Sequence, residues 1–95
     1  MSKNLHSPSM DKLMDALCSL TDRDEAYRFM EDLCTVGELE AMQQRLLVAA
    51  MLRRHDTYQV IAADTGASTA TISRVRRSLD YGDDGYDLIL KRLGL

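Results

Sequence analysis

The chain has 95 residues, 45% of them hydrophobic and 28% charged, and its formal net charge is −3. This composition predicts one globular domain and excludes an intrinsically disordered chain. No apolar run approaches the roughly 18 residues of a membrane span, and the N-terminus lacks the apolar core of a signal peptide, which predicts a cytoplasmic protein. Residues 1–8 are expected to form a flexible tail and residues 9–95 a single helical domain.

Apolar residues recur at helical spacing along the chain and no alternating strand pattern occurs, so the predicted fold is all-α with six short helices. The first two helices carry apolar stripes at Met10–Cys18 and Ala26–Cys34. Cys18 and Cys34 are the only cysteines and fall on these stripes. Buried reduced thiols are therefore favoured over a disulfide or a metal site.

Capping sequences precede the second and third helices. Asp22 stands three residues before Glu25, and Thr35 stands three residues before Glu38, which is the spacing of a capping box. The third helix is predicted to be the longest and to end near Arg53. The last helix follows a turn at 81–85, and its apolar residues are Tyr86, Ile89, Leu90 and Leu93.

Between the third and last helices, residues 57–79 have the pattern of a helix-turn-helix. Ala62 is a small residue where two helices would cross closely. Four residues later, Gly66 can adopt the left-handed conformation that ends the first helix of the motif. Ser68 can then cap the second helix by accepting a backbone N–H.

The second motif helix has one apolar and one polar side. Ile72, Val75 and Leu79 are spaced to form one buried stripe. The opposite side carries short groups and guanidiniums, which suit entry into the major groove of DNA and contact with phosphates; these are Ala70, Ser73, Arg74 and Arg77.

The predicted DNA-binding residues divide by role. Those in the first turns of a recognition helix meet base edges, and here they are Ser68, Thr69, Ala70 and Ser73. Arg77 lies further along and is expected to contact phosphate. Arg74 could contact DNA or face a ligand pocket.

The distribution of charge favours this interpretation over a purely structural helical corner, which would also need a small residue, a glycine and a buried stripe. Residues 53–79 hold five arginines and two aspartates, a net of +3, whereas residues 1–52 have a net charge of −4 and residues 80–95 of −2. Positive charge is thus concentrated on the segment shaped to meet phosphates.

Nothing in the sequence suggests an enzyme. His6 and His55 have no Ser, Cys or carboxylate at the spacing of a catalytic relay, and no phosphate-binding glycine loop or cluster of metal ligands occurs. We therefore predict no catalytic residue, no metal and no cofactor.

The apolar stripes predict a homodimer. Those of the first two helices are almost as wide as that of the third, and a chain this short buries only about 60–65% of its unfolded surface. A second copy of the chain is the simplest source of covering surface. Interlocking the first three helices of two copies would present two recognition helices about a two-fold axis, as a palindromic site requires.

Two blocks of sequence resemble the Trp-repressor superfamily, in particular its YerC/YecD-type members. The first is 35–45, with Thr35, the Glu40-Ala41-Met42 group and Arg45 spaced as in the repressor. The second is 65–75, followed by Leu79-Asp-Tyr81-Gly82 and Gly85-Tyr86. The resemblance implies an intertwined homodimer with six helices per chain, of which the fourth and fifth bind DNA. It covers roughly residues 34–93.

The resemblance also implies a candidate ligand pocket. Positions that hold tryptophan in the repressor match Thr35, Arg45, Arg74 and Ser78. Without a ligand, Thr35 is simply a helix cap and the other residues are surface groups. Val75 replaces a glycine beside the indole, and its isopropyl group should fill much of that space, so we predict that tryptophan is not the effector. Ala62 replaces a lysine of the repressor's fourth helix, so operator contacts do not transfer whole.

The function predicted from the sequence is a sequence-specific, DNA-binding transcriptional regulator, with repression preferred. The alternative is a helical protein-interaction or dimerisation module that does not bind specific DNA sequences.

Overall fold

A computed structural model describes residues 5–95, so residues 1–4 of the predicted tail lie outside the described residues. The described part is all helical, as predicted, with six helices and no strand. These are α1 (Pro8–Cys18), α2 (Arg23–Leu33), α3 (Val36–Arg53), α4 (Tyr58–Thr65), α5 (Thr69–Tyr81) and α6 (Gly85–Leu93). None of the described helices is long and apolar enough to cross a membrane.

The chain divides into two compact units, the first ending at Leu39 and the second running from Glu40 to Leu95. In the first unit, α1 begins at Pro8, whose fixed φ suits the first helical position, and the hydroxyl of Ser7 caps it by accepting the Met10 N–H at 3.0 Å. The prediction of one domain over residues 9–95 is untested and stays a prediction.

The cap of α2 differs from the predicted capping box. The carboxylate of Asp22 accepts the Glu25 N–H at 2.8 Å, as expected. The Glu25 carboxylate, however, accepts from the Thr21 N–H at 3.0 Å and the Thr21 hydroxyl at 2.9 Å, not from the Asp22 N–H. Thr21 offers two donors to one oxygen, which a single backbone N–H at Asp22 cannot match.

No described residue of the first unit is buried within the chain. The prediction of buried thiols was therefore wrong for the chain by itself, because Cys18 is exposed and Cys34 is half-buried, both as free thiols. Large apolar side chains of this unit also face outward, and they include Met14, Tyr27 and Leu33 at 44%, 62% and 50% exposure. Their stripes follow helical periodicity, but two short helices supply too little surface to cover them.

The capping box at the start of α3 is confirmed. Thr35 accepts the Glu38 N–H at 3.1 Å through its hydroxyl, and its own N–H donates to the Glu38 carboxylate at 2.8 Å. The Thr35 backbone N–H first, and the Thr35 side chain second, lower the pKa of the Glu38 carboxyl below its usual value.

This lowered pKa sets a pH dependence of stability. A carboxyl whose pKa is lower in the folded state adds stability above its unfolded pKa, here near 4.5, and that stability is lost as the pH falls through the folded pKa. Glu38→Gln keeps an acceptor for the Thr35 N–H but cannot titrate. Urea unfolding between about pH 6 and pH 3 should therefore show a shallower loss of stability for Glu38→Gln than for the native chain.

Glu40→Gln is the control, since it is the same change two residues further along α3 and Glu40 makes no capping bond among the described residues. An equal loss of stability between about pH 6 and pH 3 in the native chain and in Glu38→Gln would contradict the role assigned to the capping box.

The second unit contains the hydrophobic core, which is formed by α3, α4, α5 and α6. Burying these apolar side chains supplies about 25 cal/mol per Å² of area removed from water. The buried residues are Val48, Ala49, Met51, Leu52, Ile61, Ala67, Ile72, Val75 and Leu90. Of the apolar residues predicted for α6, only Leu90 is buried; Tyr86 is half-buried, while Ile89 and Leu93 are exposed.

Arg53, the last residue of α3, holds both ends of α6. Its guanidinium lies 3.1 Å from the Asp87 carboxylate and donates to the Leu95 carbonyl oxygen at 2.9 Å. The helix begins after Asp84, which has a left-handed φ of 63° and makes no side-chain capping bond. The acidic turn before α6 thus supplies no cap, and Arg53 ties the helix to α3 instead.

Candidate nucleic-acid interface

The first motif helix is α4. Its N-terminus is capped by the Thr57 hydroxyl, which accepts the Val60 N–H at 3.2 Å. It ends at Gly66, which has φ 73° and donates its N–H to the Ala62 carbonyl oxygen at 2.9 Å. A Cβ on Gly66 would meet no atom within 4 Å, so the backbone angle and not space requires glycine there.

The turn between α4 and α5 contains the helix cap that the sequence predicts. Ala67 is 5% exposed and joins the core, and Ser68 follows with extended φ and ψ angles. The Ser68 hydroxyl accepts the Thr71 N–H at 3.1 Å and donates to the Thr71 hydroxyl at 3.1 Å. The predicted cap is therefore present, and both hydrogen bonds of the Ser68 hydroxyl are made with Thr71.

The predicted apolar stripe of α5 faces the core. Ile72 is fully buried and Val75 is 1% exposed, while Leu79 is half-buried and packs against the core. The helix is therefore anchored along one side. The residues predicted to bind DNA are exposed: Ser68, Thr69, Ala70, Ser73, Arg74 and Arg77.

Ion pairs divide the five arginines of residues 53–79 into two groups. Arg53 pairs with Asp87, Arg54 with Asp56 at 2.6 Å, and Arg76 with Asp80 at 3.2 Å. Arg74 and Arg77 make no ion pair or side-chain hydrogen bond among residues 5–95.

The charge balance taken from the sequence is corrected by these pairs. Asp80 and Asp87 neutralise arginines of the segment, although both lie beyond residue 79 in the sequence. The positive charge left to attract phosphate is that of two guanidiniums on the exposed side of α5, Arg74 and Arg77.

The outer side of α4 carries no basic residue. Tyr58 and Val60 are 39% and 46% exposed, and Gln59 and Ala63 are exposed beside them. Sequence reasoning gave these residues no role. Helical periodicity predicts the exposure of Gln59 and Ala63, because each lies two residues from the buried Ile61 and thus on the opposite side of α4.

A hydrogen bond that the sequence did not predict joins α3 to the turn of the motif. The side-chain amide of Gln44 donates to the Thr65 carbonyl oxygen at 3.1 Å. The two residues are 21 positions apart, and no local pattern links a glutamine in one helix to a carbonyl at the end of another.

The four residues of the candidate ligand pocket differ in exposure and in hydrogen bonding. Thr35 is engaged in the capping box, Arg45 and Ser78 are half-buried, and Arg74 is exposed. Val75 packs in the core of the second unit, so its isopropyl group is part of that core. The pocket and the exclusion of tryptophan stay predictions.

Comparisons with known proteins match nearly the whole length of the chain. The family model described as Trp repressor protein matches residues 8–94. The uncharacterized protein YerC of Bacillus subtilis (strain 168) is 51% identical over 89 residues, which are 94% of this chain and 86% of YerC.

Two solved structures are similar over nearly their full length. A TrpR-like protein from Eubacterium eligens ATCC 27750 has a TM-score of 0.94 and 54% identity, covering 99% of this chain and 97% of its own. A candidate Trp repressor from Staphylococcus aureus has a TM-score of 0.92 and 46% identity, covering 98% and 96%. The predicted resemblance is confirmed, and the chain belongs to the Trp repressor family.

Proposed function

We propose that this protein is a sequence-specific, DNA-binding transcriptional regulator that acts as a repressor through α4 and α5. The observation that carries the proposal is the exposed side of α5, where Arg74 and Arg77 stand beside short side chains and have no ion-pair partner among residues 5–95. A helix anchored along one side by Ile72 and Val75 can enter the major groove without rearranging. Membership of a family of regulators supports the same function and gives no support to an enzyme.

Within this proposal the residues of α5 have separate roles. Thr69, Ala70 and Ser73 lie in its first turns and read base edges. Ser68 contributes by capping the N-terminus of α5, because its hydroxyl accepts the Thr71 N–H. Arg77 contacts phosphate, and Arg74 contacts either a base edge or phosphate.

Selection of DNA tests the proposal. Duplexes recovered from a random library and from genomic fragments should share a sequence motif, and affinity for it should fall with salt because phosphate contacts release counterions. Thr69→Ala or Ser73→Ala should then change the preferred base at one position, by about 1–3 kcal/mol per base contact. Recovery of no common motif would favour the alternative, a protein-interaction module with the same fold.

We further propose a homodimer in which α1, α2 and α3 of two copies interlock. From residue 5 to the end of the first unit no residue is buried, and isolated helices of this length are marginal in water. Light scattering after gel filtration should give about twice the chain mass of 10.7 kDa. A monomer at micromolar concentration would contradict the dimer and the paired half-sites that depend on it.

The proposed partners are double-stranded DNA and a second copy of the chain, in the cytoplasm, where a regulator reaches DNA. No small effector is needed for α5 to be held in place. If an effector exists, we propose that it is not tryptophan, and millimolar L-tryptophan should leave the melting temperature unchanged. A ligand at about 100 times its dissociation constant would add ~2.7 kcal/mol of stability, which a melt detects.

A further inference from the structure

We propose that Gln44 is a positioning residue that sets the pose of the recognition helix α5 by holding the end of α4. The inference rests on the proposed DNA-binding function. It concerns a residue of α3, which lies outside the helix-turn-helix segment itself.

The hold is made at Thr65, the last residue of α4, where several hydrogen bonds converge. The Gln44 amide donates to the Thr65 carbonyl oxygen at 3.1 Å. The Thr65 hydroxyl donates to the Ile61 carbonyl oxygen at 2.7 Å and accepts the Ala67 N–H at 3.1 Å. Thr65 is therefore connected to α3, to its own helix and to the turn that follows.

That turn determines the direction in which α5 leaves α4. Gly66 has a left-handed backbone, Ala67 is buried as an anchor, and Ser68 caps α5. Only these three residues separate Thr65 from the first residue of α5. A movement of the Thr65 carbonyl group is thus passed directly to the first turn of α5, which meets base edges.

Base reading is sensitive to such a movement. A binding constellation works when its groups are held within about 0.5 Å of the productive geometry. Phosphate contacts through long arginine side chains tolerate more displacement, because those side chains can readjust. Removal of the Gln44 bond should therefore reduce discrimination between DNA sequences more than it reduces overall affinity.

Gln43 provides a matched control. It precedes Gln44 on α3, is exposed, and makes no side-chain hydrogen bond among residues 5–95. Gln44→Met keeps the length of the side chain and removes the donor, and Gln43→Met makes the same change without breaking a bond. Gln44→Glu and Gln43→Glu form a second pair with equal changes of charge.

The readout is the ratio of affinities for a duplex selected by the native protein and for a scrambled duplex, measured at a temperature where all variants are folded. Gln44→Met should lower this ratio about fivefold, the equivalent of one net hydrogen bond, with the affinity for scrambled DNA unchanged. Gln44→Glu should lower it at least as much, because its carboxylate would face a carbonyl oxygen. Both Gln43 variants should keep the native preference among sequences.

Amide hydrogen exchange tests the hold on the turn independently of DNA. In Gln44→Met, exchange at Gly66 and Ala67 should be about fivefold faster relative to Val48 in the core, and Gln43→Met should match the native chain. Unchanged exchange at the turn, or an equal fall in affinity for both duplexes, would overturn the positioning role. If the native protein selects no sequence, the proposed function fails, and exchange still decides whether Gln44 holds the turn.

Discussion

Replacing Arg77 with alanine is expected to weaken binding to all DNA sequences to a similar degree. Arg77 is exposed on α5 and pairs with no acidic side chain among the described residues, so its charge is available to phosphate. Each phosphate that a basic side chain neutralises makes the negative slope of log affinity against log salt concentration steeper by about 0.9. The slope should therefore become shallower by about 1 for each subunit whose Arg77 is replaced, with the preferred sequence unchanged.

Two further arginine variants make this experiment specific. Arg92→Ala removes the same charge from α6, which lies outside the motif segment, and should leave the slope close to native. Arg76→Ala acts on α5 itself, but Arg76 is paired with Asp80, so its replacement should weaken binding less than that of Arg77. Unchanged affinity of Arg77→Ala at every salt concentration would show that a different face docks on DNA.

Ile72→Ala is expected to destabilise the chain by about 2–5 kcal/mol, as a large-to-small change in a core does. Ile72 is fully buried in α5 among the nine buried residues of the second unit. The surrounding helices can collapse only partly into the space, so reduced burial and a residual cavity both contribute. For a domain with about 5–15 kcal/mol of stability, this is a large fraction of the total.

Denaturant unfolding of Ile72→Ala beside Val60→Ala measures this effect. Val60 is a β-branched residue of α4 that is 46% exposed, so its replacement changes helix propensity in the same direction without opening a cavity. A destabilisation below about 1 kcal/mol for Ile72→Ala would contradict the anchoring of α5 by the core. Because the core also holds the side of α5 that we propose to contact DNA outward, the affinity for DNA should fall in the same variant.

Local signals in the sequence were sufficient for the elements of the motif. Gly66 ends α4 with a left-handed backbone and Ser68 caps α5, both as predicted, because each acts on its nearest neighbours in the chain. The buried stripe of Ile72 and Val75 follows from the helical period alone. Family membership was also readable, since its motifs are contiguous blocks.

In the first unit, helical periodicity did not predict which side chains are buried. The period of about 3.6 residues placed Cys18 on an apolar stripe, but a stripe states only which residues share a side of a helix. Whether that side is covered depends on what lies opposite it. Within the described chain Cys18 is exposed and no residue of α1 is buried.

Local sequence patterns predicted the six helices, the cap that begins α5 and the residues that share one side of that helix. The tertiary structure pairs Arg53 of α3 with Asp87 of α6, whereas Arg76 and Asp80 lie four residues apart on α5, so their pair follows from helical spacing alone. The tertiary structure also brought Gln44 to the Thr65 carbonyl oxygen. Capping and periodicity act over three or four residues, whereas ion pairs and hydrogen bonds between helices depend on how the packed core orients those helices.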